Sequence, residues 1–316
     1  MKYTVRKLFA LLFTMVIVSL LVFVAFTQIS GDPAEAMLGT QATPERLAAL
    51  RAELGLDRPL LVRYWDWLTG FVTGDLGDSY KYSMPVSELI APKLGLTLIL
   101  SLLAFLITAV ISIPVGVWSS RWAGGKRDGV FTAVNQLVMA VPPFFTGVLL
   151  TWLFSLVLKV FIHGSFPGFE SDFGGSLLYL LFPSISLALP RIAMTVRMLR
   201  STVQNEMNKD YVRTAISRGN DRNGVLFRHV LKNALVPVVT FLAQTMAEIL
   251  ANSIVVEQVF AVPGLGRLLM SSISNRDYPV VQVIVVLFAF WVVLMGTIAD
   301  LVNQRIDPRL SLGGDE

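Results

Sequence analysis

Residues 8–28, LFALLFTMVIVSLLVFVAFTQ, form an apolar run that no charged side chain interrupts. A helix of about 20 such residues crosses the hydrocarbon core of a bilayer. Lys2, Arg6 and Lys7 precede the run, as in a secretory signal. The run nevertheless exceeds the roughly 7–15 apolar residues of a signal core, so we interpret it as a retained transmembrane helix.

Five more long and largely apolar runs follow along the chain. They are Leu94–Trp118, Phe131–Leu158, Leu177–Val196, Ala234–Val256 and Val280–Val302. The composition agrees, because 54% of the residues are hydrophobic and only 15% are charged, against about 25% charged residues in a soluble domain. We predict an all-α integral membrane protein with six transmembrane helices.

Prolines fall inside several of these runs, at positions 114, 142, 143, 183, 190 and 237. A span tolerates proline where neighbouring helices or cavity water satisfy the freed backbone groups. A single proline indicates a packing kink. Their number across the spans favours a polytopic, pore-forming bundle over a simple anchor.

Basic residues in the short loops indicate the orientation of the bundle. They cluster before the first span, between the second and third, in segment 197–233 and after the sixth, whereas acidic residues outnumber basic ones in segment 30–93. We predict cytoplasmic termini, an extracytoplasmic segment after the first span, and a cytoplasmic loop between the fourth and fifth. The resulting divisions are residues 1–29, 30–93, 94–303 and 304–316.

Two short helices are predicted within segment 30–93. Thr43 and Pro44 supply an N-cap and a first-turn proline to a run that Gly55 closes. A second, amphipathic piece around Tyr64 and Trp67 is typical of the membrane interface.

Catalytic signatures are missing from the sequence. The chain has no cysteine, and its two histidines, His163 and His229, are predicted on opposite membrane faces, so we expect no metal site. Gly125-Lys126 is followed by Arg127 where a nucleotide-binding loop needs Ser or Thr, and Gly264-Leu265-Gly266 indicates a turn. We predict a chain that is not an enzyme and binds no cofactor, so any ATP and Mg²⁺ would be bound by another subunit.

The most informative cytoplasmic stretch is Asp210-Tyr-Val-Arg-Thr-Ala-Ile-Ser-Arg-Gly219. Small residues at Thr214 and Ala215 precede Gly219, and Asn233-Ala-Leu-Val-Pro237 opens the next span. This pattern predicts a short helix, a glycine turn and a second helix that enters the membrane. Small residues would let another protein approach closely. A basic amphipathic helix lying on anionic lipid is the alternative.

Three further groups of motifs occur in a fixed order. Near the first span, Gly31-Asp32-Pro33 is followed by Leu54-Gly-Leu-Asp57, Pro59, Gly74-Asp-Leu-Gly77 and Ser79. Before the sixth span, Glu257, Phe260 and Pro263-Gly-Leu-Gly266 precede Arg276-Asp-Tyr-Pro279 and Gln282. The chain closes with Asp307-Pro308-Arg309.

Over nearly its whole length, the sequence resembles the membrane permease subunits of binding-protein-dependent ABC importers, in the dipeptide/oligopeptide/nickel branch. Arg213, Thr214, Ala215 and Gly219 match the loop whose short helix docks on the ATPase subunit. Arg213 stands in place of the general loop's glutamate. Lys232 stands in place of its proline, which is displaced to Pro237. Both departures are usual in this branch.

The resemblance also implies an outer gate in segment 257–279, where an inert connector is the alternative. Its residues would be Glu257, Phe260, Pro263, Gly264, Gly266, Asp277 and Tyr278. The implied partners are a second permease subunit in a heterodimer, two ABC ATPases, an extracytoplasmic solute-binding protein and membrane lipids, with no nucleic acid. The implied location is a prokaryotic cytoplasmic membrane.

Glu248 and Asp300 are ionisable residues inside predicted spans, and Asn252 lies one helical turn beyond Glu248. Charges in a membrane usually face a water-filled cavity or a partner. We predict that Glu248 and Asn252 line the translocation path and share a hydrogen bond, whereas Asp300 caps its span. Arg191 is a possible partner for either acid.

The resemblance implies inward transport of short peptides, driven by separate ATPase subunits. Import of nickel or a nickel chelate is the alternative within the family. An autonomous channel or an ion-coupled secondary transporter is a remote alternative, because we find no inverted repeat of the kind that such transporters carry.

Overall fold

The computed structural model describes residues 2–29, 33–39, 42–53, 55–122 and 124–306, and most of them are helical. The motif residues Gly31, Asp32 and Leu54 and the closing Asp307-Pro308-Arg309 lie outside this described part. The chain divides into two compact units, which are described in turn. The first comprises Met1–Thr97 and Pro263–Val293, and the second comprises Leu98–Val262 and Leu294–Glu316.

The first unit contains the first apolar span and the short helices that follow it. Its helices are α1 (Lys2–Ile29), α2 (Pro33–Leu38), α3 (Pro44–Glu53), α4 (Leu60–Thr73), the start of α5 (Val86–Ser120), α12 (Leu265–Ser274) and the first part of α13 (Tyr278–Ile306). The amphipathic α4 packs on α1, where the Tyr64 hydroxyl lies 2.9 Å from Ser19 Oγ. The helix predicted after Thr43 is confirmed as α3.

The second unit is built around the long helix α8. Its elements are the rest of α5, α6 (Lys126–Ala140), α7 (Pro143–Leu150) continued by a π-helical segment (Thr151–Val157), α8 (Phe173–Met207), α9 (Asp210–Ser217), α10 (Arg222–Val225), a second π-helical segment (Leu226–Val230), α11 (Leu231–Phe260) and the end of α13. Helix α8 packs against α6, α7 and α11. A Cβ on Gly116 would lie 2.7 Å from Leu199 Cδ2, so only glycine allows α5 to approach α8 this closely.

Among the residues that the structure describes, five helices are long and apolar enough to cross a membrane: α1, α5, α8, α13 and the continuous run Arg222–Phe260. The predicted third span is instead a bent pair, Arg127–Ala140 and Pro143–Val157, with 94° between its halves. Six spans result if this pair counts as one. The third predicted span is therefore interrupted by a sharp bend at the prolines that the sequence places within it.

The bend has a local cause in the two consecutive prolines. Val141 and Pro142 each precede a proline and are extended, with ψ of 120° and 145°, because the following ring disfavours helical backbone. Pro143 then starts a new helix, where its missing N–H costs nothing. The single prolines at 114, 183, 190 and 237 lie inside continuous helices.

The segment 257–279, predicted as a loop, is largely helical. Helix α11 continues to Phe260, and α12 occupies Leu265–Ser274. Leu265, Leu268 and Leu269 recur at helical spacing and are buried, which explains why this segment folds as a helix. Gly264 is the N-cap of α12, so the predicted Gly264–Gly266 turn was also wrong.

Candidate functional site

The helix α9 has one buried and one exposed side. Val212 is 2% exposed and packs in a cluster with Leu199, Val203 and Leu226, and Ala215 packs against the same cluster. Arg213, Thr214 and Ile216 are exposed. Ile216, an apolar side chain at the surface that the sequence analysis did not single out, is 47% exposed.

The glycine turn predicted after this helix is present. Gly219 has a φ of +85°, and its N–H donates to the Ile216 carbonyl at 2.9 Å. A Cβ at this position would meet no atom within 4 Å. Glycine is therefore favoured here by the left-handed backbone and not by lack of space.

Polar contacts tie α9 to the end of α8 and the start of α11. The Tyr211 hydroxyl donates to Glu206 Oε2 at 2.7 Å, and Lys209 Nζ lies 2.5 Å from Glu206 Oε1. Asn233 Nδ2 donates to the Tyr211 oxygen at 3.4 Å. Burial, together with the hydrogen bond to Glu206, raises the pKa of the Tyr211 phenol. No local pattern in the sequence had indicated Glu206 or Tyr211.

Glu248 of α11 forms an ion pair with Arg191 of α8. The Arg191 side chain is 15% exposed and that of Glu248 is 50% exposed. The exposed residues of α11 recur at helical spacing, so Glu248 belongs to one face of this helix. This face consists of Gln244, Glu248, Ala251, Val255 and Gln258.

The predicted hydrogen bond between Asn252 and the carboxylate of Glu248 is not formed. The side-chain nitrogen of Asn252 donates to the backbone carbonyl of Glu248 at 2.7 Å, because a residue four positions on reaches that carbonyl along the same helix. Of the two acids considered as partners for Arg191, the structure selects Glu248.

At the end of α11, Glu257 and Phe260 are fully buried within the second unit. The Tyr179 hydroxyl donates to the Phe260 carbonyl, and Ala261 ends the helix with a φ of +54°. These two predicted gate residues are thus core residues of this unit. Their role in gating stays a prediction.

The other predicted gate residues belong to the first unit. The N–H of Leu265, which follows Pro263 and Gly264, donates to Thr97 Oγ1 at 2.9 Å and fixes the start of α12. Gly266 lies in the first turn of that helix and is buried. Tyr278 starts α13, with its ring 6.2 Å from Phe26.

Asp277 is the buried polar centre of this region. It is fully buried, and its carboxylate accepts hydrogen bonds from Ser79 Oγ at 2.5 Å and from the Tyr80 N–H at 3.0 Å. Burial raises the pKa of the Tyr80 phenol, and the positive charge of Arg63 opposes that shift. The two motifs that contain Ser79 and Asp277 therefore meet in space.

The apolar spans and the surface helix anchored to two of them define a multi-pass helical membrane protein. The chain matches the family "Binding-protein-dependent transport system inner membrane component" over residues 112–312 and that family's N-terminal region over residues 1–102. The protein belongs to this family, which confirms the resemblance seen in the sequence. It is an inner-membrane subunit of the ABC importer type.

Two relatives match almost end to end. A probable peptide ABC transporter permease of Sinorhizobium fredii is 32% identical over 98% of this chain and 98% of its own length. The glutathione transport system permease GsiC of Salmonella typhimurium is 36% identical over 98% of this chain and 99% of its own length. The fold also resembles the inward-facing methionine ABC transporter MetNI, with a TM-score of 0.57, 16% identity, and coverage of 69% of this chain and 96% of that chain.

Proposed function

We propose that this chain forms half of the translocation path of an ABC importer that carries short peptides into the cell. Separate ATPase subunits would bind ATP and Mg²⁺, and an extracytoplasmic binding protein would deliver the cargo. The second half of the path would be a different permease subunit. Both termini would lie in the cytoplasm.

The observation that carries this proposal is the construction of α9. Its inner side is held by Val212 in the apolar cluster and by Tyr211 on Glu206. Its outer side leaves Arg213, Thr214 and Ile216 uncovered. A helix whose inner side is attached to two spans and whose outer side is uncovered is suited to receive a second protein.

The cargo proposal is supported by the intramembrane pair and by the relatives. Glu248, half-exposed on α11, offers a negative group that suits the ammonium end of a peptide, and its largely buried partner Arg191 would suit the carboxylate end once the pair opened. The relatives cited above are named for peptides and for glutathione, which favours peptide over nickel.

The test is reconstitution with the ATPase subunits and uptake of a labelled dipeptide, with nickel as the competing cargo. The variant Ile216→Asp places a charge in the docking surface without touching the core, so it should lose the ATPase subunits on purification. The matched control Ile216→Val keeps the surface apolar and should retain them. Equal retention in both variants would contradict docking at α9. Uptake that persists without ATPase subunits would indicate a channel or an ion-coupled transporter.

A further inference from the structure

A cavity of about 860 Å³ lies within the first unit. It is formed between the C-terminal end of α1, helices α3 and α4, the loop before α5 and the start of α13. Its volume falls in the range of about 300–1,000 Å³ that is usual for small-molecule sites. None of its lining residues belongs to α9 or to the Arg191–Glu248 pair.

One wall of the cavity is aromatic. Phe23 and Phe26 of α1, Trp67 of α4 and Tyr278 of α13 line it. The ring centroids of Phe23 and Trp67 are 5.8 Å apart. Such a wall accepts an apolar side chain, because aromatic rings provide a large contact area at low cost in conformational entropy.

Some charged side chains that line the cavity form ion pairs and others do not. Arg58 pairs with Asp66 at 3.1 Å. Arg63 also lines the cavity and is half-buried, and it has no carboxylate partner in the part of the chain that the structure describes. Three exposed carboxylates of the lining likewise have no cationic partner among the described residues: Glu53 at the end of α3, and Asp75 and Asp78 in the loop before α5.

This arrangement restricts the class of ligand. A simple anion would face three uncompensated carboxylates, and a simple cation would leave Arg63 without a partner. Lipid acyl chains would be placed against charged groups that they cannot solvate. A molecule with one ammonium, one carboxylate and an apolar side chain satisfies the aspartates, the arginine and the aromatic wall together.

We propose that this cavity binds a short zwitterionic peptide, with its carboxylate at Arg63, its ammonium at Asp75 and Asp78, and an apolar side chain on the aromatic wall. The site is additional to the translocation path proposed above. Its occupancy is a property of the first unit and does not require that the chain transports anything, so the test measures binding alone.

The experiment titrates the purified full-length chain in detergent with the dipeptide alanyl-phenylalanine by calorimetry. Two modified ligands accompany it, one with its carboxylate amidated and one with its amino group acetylated. Each modification should weaken binding by about tenfold or more, because a charge-assisted contact is lost. This ligand series needs no variant, so misfolding cannot obscure its result.

Variants of the lining residues then test which side chains bind the carboxylate and which bind the ammonium of the ligand. Arg63→Gln should weaken binding of the dipeptide about as much as amidation does, and should abolish the difference between the dipeptide and its amide. The double variant Asp75→Asn with Asp78→Asn should weaken binding of the dipeptide about as much as acetylation does. It should also abolish the difference between the dipeptide and its acetylated form. Arg63→Lys keeps the charge and should bind more tightly than Arg63→Gln. Arg276→Gln, at an exposed position outside the cavity lining, should bind like the wild type.

Two results would overturn the proposal. The first is failure of the folded wild-type chain to bind the dipeptide. This includes the case in which the cavity holds a phospholipid instead, which would co-purify with the wild type and be lost from Arg63→Gln. The second is dipeptide binding that responds neither to amidation nor to Arg63→Gln.

Discussion

Ser79 donates a hydrogen bond to the buried carboxylate of Asp277 across 198 residues of sequence. The N–H of Tyr80 donates to the other oxygen of the same carboxylate. Two short motifs, one before α5 and one before α13, are thereby joined at a single charged group. A buried carboxylate needs such donors, because an unsatisfied charge is costly away from water.

We expect Ser79→Ala to destabilise the protein by about 1–3 kcal/mol, since the Asp277 carboxylate loses one of its two donors among the described residues and the Tyr82 N–H loses its acceptor. The measurement is thermal unfolding of the purified chain in detergent. Ser274→Ala, an exposed serine of the same unit, is the matched control and should change the melting temperature little. Equal melting temperatures for Ser79→Ala and the control would contradict the importance of this contact.

Gly219→Ala tests the turn after α9. Gly219 has a φ of +85°, and a Cβ there would meet open space. Alanine therefore costs conformational free energy, about 1 kcal/mol or more, and causes no steric clash. We expect less solute-stimulated ATP hydrolysis in the reconstituted complex. Gly219→Asn should be milder, since asparagine tolerates left-handed backbone.

The control for this turn is Gly129→Ala. Gly129 has open space and no positive φ, so alanine there should leave ATP hydrolysis unchanged. If complexes that carry Gly219→Ala and Gly129→Ala hydrolyse ATP equally, the turn does not contribute to the coupling between solute binding and ATP hydrolysis.

Glu248→Gln keeps the shape of the side chain and removes its charge. If Glu248 contacts the ammonium of a passing peptide, uptake should fall by about tenfold while the complex still assembles. The assay is dipeptide uptake normalised to assembled complex, with Gln258→Asn, on the same exposed face, as the control. Poor assembly would instead make Glu248 a structural partner of Arg191. Unchanged uptake and assembly would refute both roles.

The membrane orientation can be tested with single cysteines, since the native chain contains none. Lys81→Cys and Ser217→Cys both place the thiol at exposed positions. An impermeant thiol reagent added to intact spheroplasts should label position 81 and spare position 217. The reverse pattern would overturn the prediction that both termini are cytoplasmic. Ser79 is unsuitable for this experiment because it is buried.

The sequence predicted those elements whose signal is local. Apolar runs located the membrane helices, Thr43 and Gly55 bounded α3, and small residues followed by Gly219 indicated the helix and turn at α9. Each of these signals lies within a single continuous segment of the chain. Such local patterns can be recognised without knowing the tertiary structure.

The features that the sequence did not predict depend on packing and on contacts between distant segments. A lone proline such as Pro190 stays inside a helix that its neighbours support, whereas Pro142 and Pro143 together make two adjacent residues extended. That distinction depends on packing as well as sequence. The contact between Ser79 and Asp277 joins distant segments, and no local pattern specifies it. Glu206 and Tyr211 were missed for the related reason that polar residues at a helix end usually face solvent.

The attachment of α9 has a mechanical consequence. The α8 end near Glu206 and the α11 start near Asn233 are both bonded to Tyr211, and the same two helices carry Arg191 and Glu248. Each charge lies about 22 Å along its helix from that shared anchor, at 1.5 Å per residue. If the two helices pivoted about this anchor, each would carry its charge on an arm of nearly equal length. A change of about 10° in the angle between them would move their distant charges apart by about 4 Å, enough to open the ion pair.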